Sequence, residues 1–214
     1  MSQFKKVKKK KFSGYKLQEA FQQLGLSDLL PWDIQAEALS PSDFFNEHLY
    51  RLKRHFDLDG YEESKKLLID ALCDEAINRC DRLKIWKGAQ LEGDVAAGYV
   101  DYLIAERKRY LDTPMLCIIE AKKDDFEQGL AQCLVEMQAC QWKNQQANHS
   151  IDVMGIVTNG EGWKFYKLIP EGAVYETAAY SIGDLNLLLG RLHSVFQACE
   201  QNLDSVKTHV ISEA

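Results

Sequence analysis

The sequence lacks any apolar run approaching the roughly 18–20 residues a membrane span needs. Its basic N-terminus is not followed by a hydrophobic stretch, so it does not read as a secretory signal. Six cysteines are present, but none forms a CxxC pair, and the five histidines show no ligand spacing. Cys73/Cys80 and Cys133/Cys140 are each two helical turns apart, so each pair shares a helix face and suits small core residues better than a zinc site or disulfide framework. There is no helicase motif and no internal repeat, so any motor or specificity function must come from another chain. There is also no excess of positive charge. The net charge of −6 counts against tight duplex binding, which usually needs a basic surface. These absences lead to the expectation of a cytoplasmic protein with no membrane association. What remains is a chain of 214 residues, 46% hydrophobic and 27% charged, long enough to bury one substantial core.

Periodicity organises the chain. Leu17, Ala20, Phe21 and Leu24 recur at helical spacing up to Pro31. Ser40–Pro41–Ser42–Asp43 is a helix-start signal before Phe44, Phe45 and Leu49. Residues 61–80 form a third helix, in which Leu68, Leu72 and Ala76 with Ile69, Cys73 and Ile77 make a broad apolar face. Glu75 points toward that face, where a carboxylate needs a partner. After Cys80 the period becomes strand-like. Strands are expected over 84–91, 99–105 and 115–119, the last a continuous apolar run suited to the centre of a sheet. Asp125 and Gln128 have capping-box spacing and open a helix to about Trp142. Further strands are expected near 151–157, 163–168 and 174–181, and a closing helix over 184–202. Trp86, Trp142 and Trp163 read as core or sheet-covering residues. The class is α/β of mixed α+β character, a central mixed sheet flanked by helices. The domain reading is a disordered basic tail at 1–12, an N-terminal helical extension at 13–60 and the main domain at 61–205.

The chemistry concentrates at the end of the apolar run. Glu120 and Lys122 are two apart on a strand and so share a face. Asp101 lies on the preceding strand at a span that suits a hairpin, so Asp101 and Glu120 converge if the strands pair. Two carboxylates at one spot repel, and a divalent cation relieves that repulsion through hard oxygen ligands. A lysine alongside supplies positive charge where phosphate charge develops. That is equipment for phosphodiester hydrolysis with magnesium, or manganese, as cofactor. The plain alternative is a structural salt bridge.

At Gly98-Tyr-Val-Asp101-Tyr-Leu-Ile104 and Cys117-Ile-Ile-Glu120-Ala-Lys122 the chain resembles the PD-(D/E)XK nuclease superfamily. It is most similar to the N-terminal nuclease domain of type I restriction motor subunits and their stand-alone relatives. The resemblance spans roughly residues 61–168, including the segment from Gln128 to Ala139. It implies a restriction-endonuclease-like core and a set of roles. Asp101 and Glu120 would bind the metal with the Ala121 carbonyl, Glu75 would be the acidic residue of the first core helix, Lys122 would be catalytic, and Gln132 would position substrate or active-site groups. The chain departs from the pattern at Glu136, where some relatives carry tyrosine, and at Val100, where proline is usual.

The expected function is a magnesium-dependent DNA nuclease in restriction or repair, with a partner protein supplying motor or specificity functions. The rival is a catalytically inactive module that keeps the fold and binds a protein or nucleic acid. Lys8, Lys9, Lys10 and Lys11, within the N-terminal lysine run, read either as a solvated tail or as a phosphate-attracting arm.

Overall fold

The computed structural model describes residues 9–122 and 125–212, with side chains through residue 206. In chain order the elements are β1 (Lys10–Lys11), α1 (Leu17–Leu24), β2 (Leu30–Pro31), α2 (Asp43–His55), α3 (Glu62–Ile77), β3 (Leu83–Glu92), β4 (Ala96–Glu106), β5 (Met115–Ala121), α4 (Phe126–Gln146), β6 (Val153–Thr158), β7 (Gly162–Leu168), β8 (Val174–Glu176), β9 (Tyr180–Ser181) and α5 (Leu185–Ser212). Short 3₁₀ turns at Phe12–Gly14 and Ile182–Asp184 follow β1 and β9.

The strands form one mixed sheet. β3, β4 and β5 are an antiparallel meander; β5 and β6 are parallel, joined by the α4 crossover; β7 runs antiparallel to β6 and β8. β5 is buried along its whole length, which is why its sequence does not alternate. One sheet face packs on α2, α3 and α5 through residues such as Phe45, Leu52, Leu72, Ile104, Trp163 and Phe196. The other packs on α1 and α4 through Ala20, Leu103, Ile118, Leu134 and Met137. All six cysteines are buried with free thiols. No helix among the described residues is long and apolar enough to cross a membrane.

Local chemistry accounts for most element ends. The Ser42 side chain accepts the Phe45 amide at 3.1 Å and caps α2. Asp125 accepts the Gln128 amide at 2.8 Å and caps α4, as its spacing predicts. α1 stops six residues before Leu30, where Gly25 takes a left-handed φ of 69°. α4 runs past Trp142 because Asn144 is buried against the start of β5. Its side chain accepts the Met115 amide and donates to the Met115 carbonyl, both at 2.8 Å.

The N-terminal sixty residues differ from expectation. Lys10–Lys11 pairs in parallel with β4, and Phe12 is fully buried in the α4-side core, so residues 9–12 belong to the fold and are not a disordered tail. Lys8 lies outside the described residues. Residues 13–60 supply Tyr15 and Ala20 to one core and Ile34, Phe45, Leu52 and Leu58 to the other, so they are integral to the domain.

Candidate active site

The site lies where β4 and β5 part. Their ladder ends at Tyr102↔Ile119. Asp101 and Glu120 are the next residues outward. β4 is also paired along its opposite edge, since Ala97 faces Glu92 of β3 on one side and Lys11 of β1 on the other. β1 and β5 therefore share one edge of β4 and leave residues 98–101 between them. Asp101 reaches across this opening, and its Oδ2 accepts the Ala121 amide at 3.0 Å. Asp101 thus meets the backbone between Glu120 and Lys122, at the point where the ladder ends.

Glu120 is wholly buried, in a strand where every neighbour is apolar. The Lys122 ammonium stands 2.7 Å from its Oε1. Apart from this ion pair, no group among the described residues donates a hydrogen bond to either Glu120 oxygen. Burial, then the nearby Asp101 charge, push its carboxyl up to about 7, with Lys122 opposing. Lys122 is itself half-buried. Burial pulls its pKa down, but the charges of Glu120 and Asp101 outweigh this and raise it. The ammonium also donates to Gln132 Oε1 at 3.3 Å. Gln132 Nε2 then donates to Glu136 Oε1 at 3.0 Å, inside the protein. Glu136 is fully buried on α4, and burial followed by the Glu120 charge raises its pKa well above the ordinary value. The ammonium can only donate, so it turns the Gln132 oxygen toward itself and leaves Nε2 for Glu136, which anchors the amide from inside. Gly129 lets α4 come this close. A Cβ there would stand 2.7 Å from Val157 Cγ1 and 3.0 Å from Lys122 Cγ.

Two expected roles need revision. Glu75 is not in this site. Its carboxylate accepts the Ser42 amide at 2.6 Å and the Ser42 hydroxyl at 2.8 Å, tying α3 to the start of α2. The acidic residue of α3 whose charge reaches Glu120 and Lys122 is Glu62, near the start of the helix. Of the basic run, Lys9 pairs with Glu92 at 2.9 Å and donates to the Gly93 carbonyl, while Lys10 pairs with Glu19 at 2.7 Å. These two lysines are structural ties, not a free arm.

One residue escaped sequence reasoning altogether. Lys66, one turn beyond Glu62, places its ammonium 3.1 Å from Asp101 Oδ1, 2.9 Å from Glu63 and 3.5 Å from Glu62. Burial lowers its proton affinity, but the Glu63 and Asp101 carboxylates outweigh that and raise it. No spacing signal marks Lys66, because its partner comes from a strand 35 residues on.

The donors present fit one hard divalent ion. Among the described residues no group of three or more His, Cys, Asp or Glu side chains could hold a metal by themselves. Asp101 already accepts the Ala121 amide and meets Lys66, while the buried Glu120 oxygens meet Lys122 alone among the described residues; magnesium would complete so sparse a donor set with backbone oxygen, water and phosphate. No protein-family model matches the sequence, and no curated protein matches it.

Proposed function

We propose that this chain is a metal-dependent nuclease of restriction-endonuclease-like fold that hydrolyses phosphodiester bonds of DNA. The observation that carries the reading is the buried Glu120 carboxylate, short of hydrogen bonds, beside Lys122 and next to Asp101 at the mouth of a split sheet. A purely structural ion pair would be expected to satisfy its buried oxygens, because an unsatisfied buried carboxylate is costly.

Asp101 and Glu120, with the Ala121 carbonyl, would hold magnesium or manganese. The ion would supply Lewis acidity and a more acidic bound water. The protein's own groups do the rest. The Lys122 ammonium provides a fixed positive charge for the phosphate oxygens as negative charge builds on them. Gln132 holds that ammonium, and Glu136 holds Gln132, so the charge is placed before substrate arrives. Burial of Glu120 keeps water from screening the cluster.

The second reading is an inactive module of the same fold that binds a protein or nucleic-acid partner. One observation favours it: the Lys66 ammonium already neutralises Asp101. The deciding experiment is magnesium-dependent degradation of single- and double-stranded DNA by the purified protein, with Lys122→Ala as control. Cleavage by wild type and not by the variant supports the enzyme. Binding without cleavage by either protein favours the module.

A further inference from the structure

A groove of about 460 Å³ opens beside the candidate site. Ala97, Gly98 and Tyr99 of β4 lie on one side with Gln90 of β3, and Lys11, Phe12 and Ser13 on the other. Gln132, the partner of Lys122, is part of the same lining. The groove is the stretch of β4 edge left uncovered between β1 and β5.

Its lining is specific in kind. Tyr99 is 71% exposed, a large ring left in water two residues before Asp101. Lys11 is exposed and has no ion-pair partner among the described residues, unlike Lys9 and Lys10. The wall is fixed in place. Gln128 of α4 donates to the Tyr15 carbonyl at 3.1 Å and the Ser13 carbonyl at 3.4 Å. Gly98 lets the Phe12 ring seat against β4, where a Cβ would come within 3.0 Å of it.

We infer that this groove binds an unpaired nucleotide of single-stranded DNA, with its base stacked on Tyr99 and a flanking phosphate on Lys11. The inference rests on the nuclease reading for the substrate's chemistry and adds its strandedness. In a duplex the base faces are covered by neighbouring pairs, so an exposed ring has nothing to stack on; an unpaired base offers a free face. Duplex affinity depends on many phosphate contacts. Two of the three lysines described in this run are already committed to carboxylates, so among the described residues the groove offers one exposed cation and one exposed ring, the pairing a single nucleotide needs. Gln90 adds an amide that can hydrogen-bond a base edge without charge.

The test measures binding apart from cleavage. Fluorescence anisotropy without divalent metal would use a labelled twelve-residue oligothymidylate and a hairpin duplex. The proteins would be wild type, Tyr99→Ala, Tyr99→Phe and Lys11→Ala. Both side chains are exposed, so all four should unfold at the same temperature, which checks the fold. Wild type should prefer the single strand. Tyr99→Ala should weaken single-strand binding about fivefold to a hundredfold, the range for loss of one base stack. Tyr99→Phe should stay within about twofold. Lys11→Ala should flatten the salt dependence by roughly 0.7 in log–log slope, one phosphate's worth for single strands. On an oligomer with an abasic backbone, wild type and Tyr99→Ala should bind alike. Single-strand affinity unchanged in Tyr99→Ala, a preference for duplex, or no nucleic-acid binding by wild type overturns the inference. Magnesium-dependent cleavage with unchanged KM in Tyr99→Ala would overturn the groove and leave the nuclease standing. Tyr99-dependent binding without cleavage would keep the groove and remove the nuclease.

Discussion

Two ionic clusters in this molecule are built on opposite terms. At the start of β3, Arg82 meets the Asp204 carboxylate with both terminal nitrogens, at 2.7 and 3.1 Å, and donates to the Glu200 carbonyl at 2.7 Å. Its backbone amide donates to the Glu200 side chain at 2.7 Å. One forked cation satisfies its acceptors at a partly exposed surface and ties α5 to the sheet. At the mouth of β4 and β5, the carboxylates of Asp101, Glu120, Glu62 and Glu63 share the ammonium groups of Lys66 and Lys122 among the described residues, with Glu136 behind them, and the buried oxygens accept too few hydrogen bonds. The first cluster is what ion pairing looks like when it serves the fold. The second keeps acceptor capacity unspent, which a bound proton or the proposed metal ion would fill.

The sharpest way to separate the two is through Lys122. Lys122→Met should lower cleavage about 10²–10³-fold, the cost of losing one preorganised charge partner, while far-ultraviolet circular dichroism stays that of wild type. A variant that cleaves like wild type would reduce the cleft to an ordinary ion pair.

Divalent metal should come next in size. Magnesium at about a hundred times its dissociation constant should stabilise the native state by about 2.7 kcal/mol, read as a rise in Tm. Asp101→Asn should remove that rise, whereas Arg82→Ala should keep it in full. In Lys66→Met the metal-free protein should melt lower and recover more on adding magnesium, since the ion takes over the role of the lost ammonium. An equal rise in all proteins would put the metal somewhere other than the cleft.

The pH response follows from Glu120. Its folded pKa, about 7, is raised above the ordinary 4.5, so the native state binds the proton more tightly than the unfolded chain. The stabilisation is complete below pH 4.5 and is lost as pH rises through 7, with a slope of at most about 1.4 kcal/mol per pH unit. Urea midpoints in chelator should therefore fall between pH 4.5 and 7. Glu120→Gln should flatten that fall in part, because Glu136 contributes with the same sign. If the midpoints rise with pH over this window, Glu120 is not held in its neutral form.

The smallest effect belongs to the surface cluster. Arg82→Ala should cost no more than about 1 kcal/mol, insensitive to magnesium, because exposed ion pairs gain little over hydrated ones. A loss of several kcal/mol would erase the contrast between the two clusters.

The sequence by itself determined the periodic elements and the core of the site. Strand alternation put Glu120 and Lys122 on one face. An apolar run ending in charge marked the place, and the Asp125 cap announced α4. These depend on neighbours in the chain, which the sequence displays. Only the tertiary structure decided the rest. Helix-face arithmetic pointed Glu75 inward but could not say which neighbour it met. Thirteen residues separate it from Glu62, about 20 Å along the helix axis, and that distance put one glutamate on Ser42 and the other at the cleft. β1 was hidden in the lysine run because strand pairing at an edge is made by backbone groups, which charged side chains do not prevent. Lys66, Glu136 and the Tyr99 groove acquire their roles from partners far away in the chain, and no spacing rule records those meetings.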